Sequence, residues 1–513
     1  MKPLSKPLVF LVTFALSMAT FMFVLDYSIA NVSIPYISGD MAVSTDQGTY
    51  VITSFAVGNS IGLPITGWLT KRVGAVKLLC ISLILFIFFS WTCGSAPNFL
   101  LLIISRFLQG LSSGPMLPLS QTLIITSNPP EKKNSALALW STIVIAAPIV
   151  GPLLGGWISY DYYWPWIFYI NIPVGIFSLI VIWLILKRRE TPREEAPVDW
   201  VGLILLAVGV TCLQFLLDKG EQYDWLRSNL IMTCAVASFI SFTLLIVWSL
   251  TTHNPLIELK LFKTRTFALS VFYIAFMYAI YFGSVVLVPL WLQVSMNYTA
   301  IWAGIAVAPI GIAPFILGPL MGKALTKYGH ASMLGICFVL FAISCFYSAY
   351  FNTDVDLWHI CFSRFLLGCA LIFFITPLFA LSVIDVPHEK LASATGIFHF
   401  VRAMVGGVGT SIFTTMWIRR SAYHHARVGE SVTPFSEQTN NYLNQLEELG
   451  LKGQKGLDQL NNVLNQQADI LSINDCFFLM GWVFFGLMLF LPLARKKKNP
   501  QEKISPLAGS VSE

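Results

Sequence analysis

Long apolar segments separated by short polar ones run along the chain. They are continuously apolar rather than alternating in polarity, and most approach the roughly 20 residues that a helix needs to cross a membrane. Backbone hydrogen bonds inside a membrane are satisfied only in helices and closed barrels, and continuous runs favour helices. The pattern therefore predicts an all-α membrane protein with fourteen transmembrane helices. Their approximate bounds are 8–31, 48–69, 76–96, 98–125, 134–158, 165–186, 200–217, 229–250, 266–290, 300–322, 331–350, 357–383, 393–417 and 475–494.

The composition is that of a chain lying mostly in lipid. Of 513 residues, 56% are hydrophobic and 11% are charged, with a mean hydropathy of +0.71, whereas a soluble protein carries about 25% charged residues. Nine cysteines show no CxxC spacing, so neither a metal site nor a disulfide framework is expected. The chain has no phosphate-binding loop motif, so ATP is not the evident energy source. We expect no cofactor and no enzymatic activity.

Lysine and arginine fall mainly in alternate connecting segments. If the N-terminus is cytoplasmic, 22 of the 32 Lys and Arg residues lie in cytoplasmic segments, seven in outer segments and three inside spans. This bias is the usual topology signal of membrane proteins, so both termini are predicted to be cytoplasmic. The same distribution argues against nucleic acid as a partner, despite a net charge of +6.

One sequence pattern occurs twice, 258 residues apart, as SRFLQG at Ser105–Gly110 and SRFLLG at Ser363–Gly368. Chance similarity is the alternative, but further matches at the same offset favour two homologous halves. The offset pairs the fourth span with the twelfth, so two spans are inserted between six-span halves. The predicted divisions are an N-terminal bundle at 1–190, inserted helices at 191–262, a C-terminal bundle at 263–494 that includes a periplasmic loop at 419–473, and a basic cytoplasmic tail at 495–513.

Asp26 is the one acidic residue that the pattern places deep inside a span. An ionised carboxylate is costly in hydrocarbon, so such a group tends to bind a proton or pair with a cation. At 1.5 Å per residue, Asp26 lies about 9 Å and Arg106 about 12 Å from the outer ends of their helices, so the two could meet. The pair is predicted to couple transport to protons. A static ion pair is the alternative.

The second half carries polar groups without a deep carboxylate. Arg364 is the repeat partner of Arg106, and it either bonds backbone carbonyls or lines a wet cavity. His399 either titrates near neutral pH or is a polar packing residue of the thirteenth span. Candidates for the substrate cavity or a second-half polar site are Asn31, Gln109, Arg364, His399 and Arg402.

Glycine and proline cluster in the fifth span, at Gly151, Pro152, Gly155 and Gly156. Such a helix kinks and lets a neighbouring helix approach closely. From the residues alone, this is a packing motif.

The outer loop at 419–473 is rich in Asn, Gln and Glu. Apolar residues recur at helical spacing on both sides of Gly450 and Gly453, which predicts an amphipathic helical hairpin. This loop is the one sizeable water-exposed region that the pattern predicts.

Four motifs of this chain resemble those of the major facilitator superfamily, and within it the fourteen-helix drug:proton antiporters of the EmrB/QacA type. The resemblance covers nearly the whole chain. It implies a major facilitator fold of two six-helix bundles plus two inserted helices, and the long outer loop is most similar to EmrB-like members. Lys71 departs from the family, because the loop motif usually has an aspartate there, so the charge clasp at that gate is absent or made differently. The motifs are the first-span segment Leu25–Pro35, the gating loop with Gly67, Lys71, Arg72 and Gly74, the proton-coupling motif with Arg106, Gln109 and Gly110, and the antiporter motif with Gly151, Pro152, Gly155 and Gly156.

The resemblance implies a proton-driven multidrug efflux antiporter that exports amphipathic compounds across the bacterial inner membrane by alternating access. EmrB-like members hand substrate to a periplasmic membrane-fusion adaptor and an outer-membrane duct, so a tripartite pump is expected. For the outer loop, an unpartnered tether is the alternative. Three other functions stay open at this point: export of an endogenous metabolite such as a siderophore, proton-coupled uptake by symport, and a transport-inactive assembly or sensor subunit.

Overall fold

The computed structural model describes residues 5–129, 132–193, 197–253 and 255–494. Within these ranges the chain folds into α-helices joined by short connections, and the predicted tail at 495–513 lies outside them. The first-half helices are α1 (Lys6–Asp40), α2 (Thr45–Gly48), α3 (Tyr50–Val73), α4 (Ala75–Gly94), α5 (Phe99–Ser113), α6 (Met116–Ser127), α7 (Lys133–Asp161), α8 (Trp166–Tyr169) and α9 (Asn171–Leu186). The remaining helices are α10 (Trp200–Lys219), α11 (Asn229–Thr251), α12 (Arg265–Val294), α13 (Ala300–Val307), α14 (Pro309–Tyr328), α15 (His330–Ser348), α16 (Leu357–Val383), α17 (Leu391–Gly429), α18 (Glu437–Glu448) and α19 (Gln454–Met488).

Many of these helices can cross a membrane. In the described part of the chain, eleven helical stretches are long and apolar enough, and a twelfth arises if the bent helix α7 is one span. The predicted fourteen also include α3 and the α13–α14 segment, which are helical but do not meet the same combination of length and hydropathy. The all-helical membrane architecture is confirmed, and the exact number of spans stays a prediction.

Three spans that the sequence predicts as continuous are interrupted in the structure. The fourth span divides into α5 and α6 at Gly114 and Pro115. A Cβ on Gly114 would collide with the backbone of Gly62 in α3, and Pro115 has no N–H to donate to the preceding turn. Close helix packing therefore coincides with this break. The other interruptions lie at Ile170, between α8 and α9, and at Ala308, before α14.

The two halves repeat each other in their backbone. Helix α3 ends at Gly74 with φ 97°, and its repeat equivalent α14 ends at Gly329 with φ 78°. Glycine adopts these left-handed conformations without the steric cost of a side chain. Helix α1 packs along α7 and α3 along α5, while in the second half α12 packs along α17 and α14 along α16. These pairings are equivalent, as expected of two duplicated halves.

The inserted helices α10 and α11 lie between the two halves in the sequence, and they pack against each other. We call the side of the molecule where the helices end near Lys71, Lys187 and Lys390 the basic side. The opposite side, which carries residues 419–473, is the loop side. Helix α10 runs from the basic side to the loop side and contacts both α3 and α17.

The predicted helices of the outer loop are present, but they are joined to the spans. Helix α17 continues past its apolar part to Gly429, and α19 combines the second loop helix with the last span. The short helix α18 packs on α19. Two contacts fasten the base of this region: Arg420 Nε donates to Asp475 Oδ2 over 2.7 Å, and Trp417 Nε1 donates to the Asp469 carbonyl over 3.3 Å.

Candidate functional site

The structure brings Asp26 and Arg106 together, as their predicted depths suggested. Arg106 Nη1 on α5 donates to Asp26 Oδ2 on α1 over 2.6 Å, and both side chains are 0% exposed. A buried ion pair is stable only when further hydrogen bonds satisfy both partners, and losing either partner leaves an uncompensated charge. The surroundings of the pair therefore decide what it can do.

Three polar side chains surround the carboxylate and connect it to neighbouring helices. Asn171 Nδ2 on α9 donates to Asp26 Oδ1 over 2.6 Å, and Gln109 Nε2 donates to the same oxygen over 3.4 Å. Both amides also donate to Ser90 Oγ on α4, over 3.0 and 3.1 Å. The carboxylate thus accepts from a guanidinium and two amides, and the hydrogen-bonded cluster joins side chains of four helices, α1, α4, α5 and α9.

Aromatic rings enclose the guanidinium of Arg106. The rings of Phe55 and Phe168 lie 4.3 and 5.2 Å from its Cζ atom, and its Nε donates to the Val51 carbonyl over 3.1 Å. Its Nη2 atom is buried without a partner among the described residues. Cation–π contacts stabilise the charge in a site that excludes water. Asp26 is the one acidic side chain in the described structure that forms an ion pair with it.

The glycines of the fifth span set the distance between α7 and the segment that follows Asp26. A Cβ on Gly151 would collide with the Ser28 hydroxyl, and one on Gly155 would collide with the Ile29 carbonyl. Ser28 Oγ also donates to the Ala147 carbonyl of α7 over 3.3 Å. A displacement of α1 at Asp26 would therefore change the packing of α1 against α7. Among the described residues, a Cβ on Gly156 would make an ordinary contact with Val32 alone, and the side chain of Pro152 lies outside those residues.

The basic side holds the two halves together. A Cβ on Gly67 of α3 would collide with Ser393 of α17, and Ser141 of α7 accepts a 3.0 Å hydrogen bond from Thr376 of α16. His399 Nε2 of α17 lies 2.6 Å from Gln121 Oε1 of α6. These contacts join portions of the helices that approach the basic side, so the structure is closed there.

A family model described as Major Facilitator Superfamily matches residues 16–410. The chain belongs to this superfamily. It is a multi-pass membrane transporter rather than an enzyme.

Two relatives and one solved structure define the branch and the fold. The multidrug export protein EmrB of Escherichia coli K12 is 43% identical over 488 residues, which cover 95% of each chain. The fatty acid resistance protein FarB of Neisseria gonorrhoeae is 40% identical over 489 residues, covering 95% of this chain and 96% of FarB. The proton:xylose symporter XylE bound to 6-bromo-6-deoxy-D-glucose superposes with a TM-score of 0.58 at 12% identity, covering 94% of this chain and 97% of XylE. XylE shows the fold alone, whereas the curated relatives identify an EmrB-like exporter.

The second half of this major facilitator transporter repeats the arginine but not its acid. Arg364 is 1% exposed and donates to the hydroxyls of Ser284, Ser348 and Ser363 over 2.8, 3.0 and 2.9 Å. No described carboxylate lies within ion-pair distance, and the ring of Phe477 lies 5.3 Å from its Cζ atom. The partners of Arg364 are thus mainly serine hydroxyls, with one 3.5 Å contact to the Ser284 carbonyl.

The other candidate cavity residues fall into three different surroundings. Gln109 is fully buried within the Asp26 cluster. His399 is a contact between the halves and stacks on Phe379 with ring centroids 5.8 Å apart. Arg402 is half-buried over the Tyr278 ring at 5.1 Å, and its Nε atom has no partner in the described structure. Asn31 is exposed, and among the described residues it donates to the Tyr27 carbonyl of its own helix, over 3.4 Å.

The gating loop has a carboxylate after all, but it comes from another part of the chain. Lys71 forms an ion pair with Glu258, which lies between α11 and α12, and Lys390 Nζ binds the other carboxylate oxygen over 2.9 Å. Burial alone would raise the pKa of Glu258, but hydrogen bonds and charges from the two lysines outweigh it, so this pKa is below its usual value. Arg72 lies over the Trp68 ring at 5.6 Å and contacts no acid in the described structure.

Gly74 completes the gating loop by making room for a second carboxylate. A Cβ on Gly74 would collide with Glu190, whose two oxygens accept from the backbone N–H groups of Val76 and Lys77 over 2.9 Å each. This carboxylate caps the N-terminus of α4, where negative charge is favourable. The gating loop is therefore held at Lys71 by Glu258 and next to Gly74 by Glu190.

Sequence reasoning missed Ser90, Asn171 and Glu258. Ser90 and Asn171 are short polar residues in apolar spans, and nothing in their spacing separates them from ordinary packing residues. Asn171 is the sole asparagine of α9, which is a weak signal for a buried polar role. Glu258 stands in a connecting segment, and only the three-dimensional fold brings it to Lys71.

Proposed function

We propose that this transporter is a proton-driven exporter of amphipathic compounds that works by alternating access across the bacterial inner membrane. The observation that carries the proposal is the fully buried pair of Asp26 and Arg106. A carboxylate at this depth destabilises the fold, so its presence indicates a function. Its position on α1, directly before the α7 contacts at Ser28 and Ile29, lets its protonation state act on helix packing.

The proposed cycle alternates between an ionised and a protonated Asp26. In the present arrangement, closed on the basic side, the ionised carboxylate holds Arg106, Asn171 and Gln109. A proton on the carboxylate removes the counterion of Arg106 and weakens the contacts of α1 with α5 and α9. One proton moving down about 100 mV releases about 2.3 kcal/mol from the potential alone. That energy supports outward movement of cargo against a gradient.

The proposed cargo has an apolar body and a neutral or acidic polar group. Tyr278 and Arg402 form a half-buried aromatic and cationic surface in the second half, with no acid paired to Arg402 among the described residues. A guanidinium over an aromatic ring, with no acid beside it, attracts an anion and disfavours a cation. The names of two relatives, one for multidrug export and one for fatty acid resistance, agree with amphipathic cargo.

We further propose that the loop side is periplasmic and that helices α17 to α19 dock a membrane-fusion adaptor that leads to an outer-membrane duct. The distribution of Lys and Arg supports this orientation, with both termini in the cytoplasm. Phe435 is 96% exposed at the turn before α18, and Leu449 is exposed at its end. Exposed apolar residues at the tips of a helical projection suit a protein partner better than water. An unpartnered tether predicts that replacing them leaves export unchanged.

The experiment is to measure luminal pH in proteoliposomes while cargo is added, using acidic, neutral and cationic amphipaths and a siderophore. Exchange of cargo for protons raises the luminal pH as cargo enters. A fall in luminal pH would indicate symport, and a response to the siderophore alone would indicate a metabolite exporter. Absence of a response to every compound would support a transport-inactive subunit and contradict the proposal.

A further inference from the structure

The inserted helix α10 lies at the seam where α3 of the first half meets α17 of the second. Towards the loop side it is bonded to both. Asp218 Oδ2 accepts from Thr53 Oγ1 of α3 over 2.6 Å, and the Leu217 carbonyl accepts from Ser411 Oγ of α17 over 3.2 Å. Gln214 Nε2 donates to the other Asp218 oxygen over 3.1 Å. A helix bonded to one half alone would move with that half, whereas α10 contacts both.

On the basic side, Asp199 ties the inserted pair into one unit. Its carboxylate accepts from the Gly202 N–H in the first turn of α10, from Trp248 Nε1 of α11, and from the Leu256 N–H of the segment that follows α11, over 2.8 to 2.9 Å. Asp199 is largely buried, so these bonds are shielded from water. The position of the segment after α11 is therefore fixed relative to α10 and α11.

Glu258 follows Leu256 by two residues and extends this unit to both halves at once. Its carboxylate is 12% exposed and lies between Lys71 at the end of α3 and Lys390 at the start of α17. Three residues after Lys390, Ser393 packs on Gly67. The same seam is thus bridged by the inserted pair at both sides of the molecule.

We propose that the inserted helices are a latch for alternating access, and that Glu258 holds the basic side closed by binding Lys71 and Lys390 together. This rests on the alternating-access part of the proposed function. Opening the basic side moves Lys71 and Lys390 apart with their halves. Asp199 anchors the segment that carries Glu258 to α10 and α11. Glu258 therefore cannot move with both lysines, so at least one of the two ion pairs breaks in every cycle. The gating loop has Lys71 where the family motif usually has an aspartate. In the latch, Glu258 of the segment between α11 and α12 supplies a carboxylate to this loop instead.

The test is hydrogen–deuterium exchange of the full chain in lipid nanodiscs, comparing Glu258→Gln with wild type. We expect exchange to rise by about fivefold in peptides covering the basic-side ends of α3 and α17, the size expected when partly screened, charge-assisted hydrogen bonds are lost. Glu389→Gln is the matched control, since Glu389 is an exposed acid beside Lys390 with no ion-pair partner among the described residues. It should leave exchange at wild-type levels.

Charge reversal separates a latch from general loosening of the fold. Glu258→Lys places three cations together and should open the basic side further than Glu258→Gln does. Adding Lys71→Glu restores an opposite pair and should return exchange towards wild type. If Glu258→Gln does not fold, Lys390→Gln removes one contact only and should give a smaller rise at the same peptides. Wild-type exchange in folded Glu258→Gln, or no rescue by Lys71→Glu, would overturn the latch. Neither result bears on proton coupling, because exchange is measured without cargo or a proton gradient.

Discussion

Arg106 and Arg364 occupy equivalent positions of the duplicated halves, yet they have different partners. Arg106 pairs with the Asp26 carboxylate and with Gln109, while Arg364 is held by the hydroxyls of three serines. Both guanidiniums are buried and face aromatic rings. The comparison separates two roles that an intramembrane arginine can have: a counterion to a group that can bind a proton, and a structural donor that holds helices together.

The largest expected effect is on stability after removal of each arginine. Arg106→Gln leaves the Asp26 carboxylate buried without its cation, which should destabilise the protein by about 3–5 kcal/mol. Arg364→Gln removes hydrogen bonds to serines but leaves no unpaired charge, so the loss should be clearly smaller. Thermal unfolding in detergent measures both. Equal losses would contradict the difference between the two sites.

A double variant sharpens the same point. Adding Asp26→Asn to Arg106→Gln removes the stranded charge, so a large part of the lost stability should return while proton exchange stays absent. The double variant is compared with Arg106→Gln in the same unfolding assay. A double variant no more stable than the single one would show that the pair does not account for the loss.

The sequence predicted the meeting of Asp26 and Arg106 because depth along a helix follows from residue counting. It did not predict Asn171 or Ser90, because which helix face a short polar residue occupies depends on packing. The breaks at Gly114 and Ala308 were missed for a related reason, since hydropathy measures how apolar a segment is and not whether its helix is continuous. The sequence shows that the loop motif has Lys71 in place of its usual aspartate. It does not show the replacement partner, because Glu258 lies 187 residues away and only the fold brings the two together.

A carboxylate added to each half should have opposite consequences. Ser284→Asp places an acid beside Arg364, which has none, and should be tolerated in unfolding measurements. Ser90→Asp places a second acid beside Asp26 and should destabilise the protein, because two carboxylates then share one arginine. Both serines are fully buried, so the pair is matched in burial. The reverse order of stability would contradict the assignment of charges.

The smallest expected effect comes from the hydrogen bonds around the carboxylate. Asn171→Ala removes one donor to Asp26, worth about 1–3 kcal/mol for a bond to a charged group, and should slow proton-coupled export by about tenfold or more. Asn440→Ala is the control, because Asn440 is an exposed asparagine that donates only to a local carbonyl. Initial rates of cargo-induced pH change measure both. Equal rates for the two variants would exclude Asn171 from the coupling site.

The most direct test is the cargo-induced rise of luminal pH in proteoliposomes containing Asp26→Asn. Asp224→Asn is the control, since Asp224 lies exposed in a turn with φ 59°, a conformation that asparagine tolerates. We predict that Asp26→Asn abolishes the pH change while cargo binding persists, and that Asp224→Asn matches wild type. Undiminished proton exchange by Asp26→Asn would contradict the assignment of this carboxylate as the group that carries the proton.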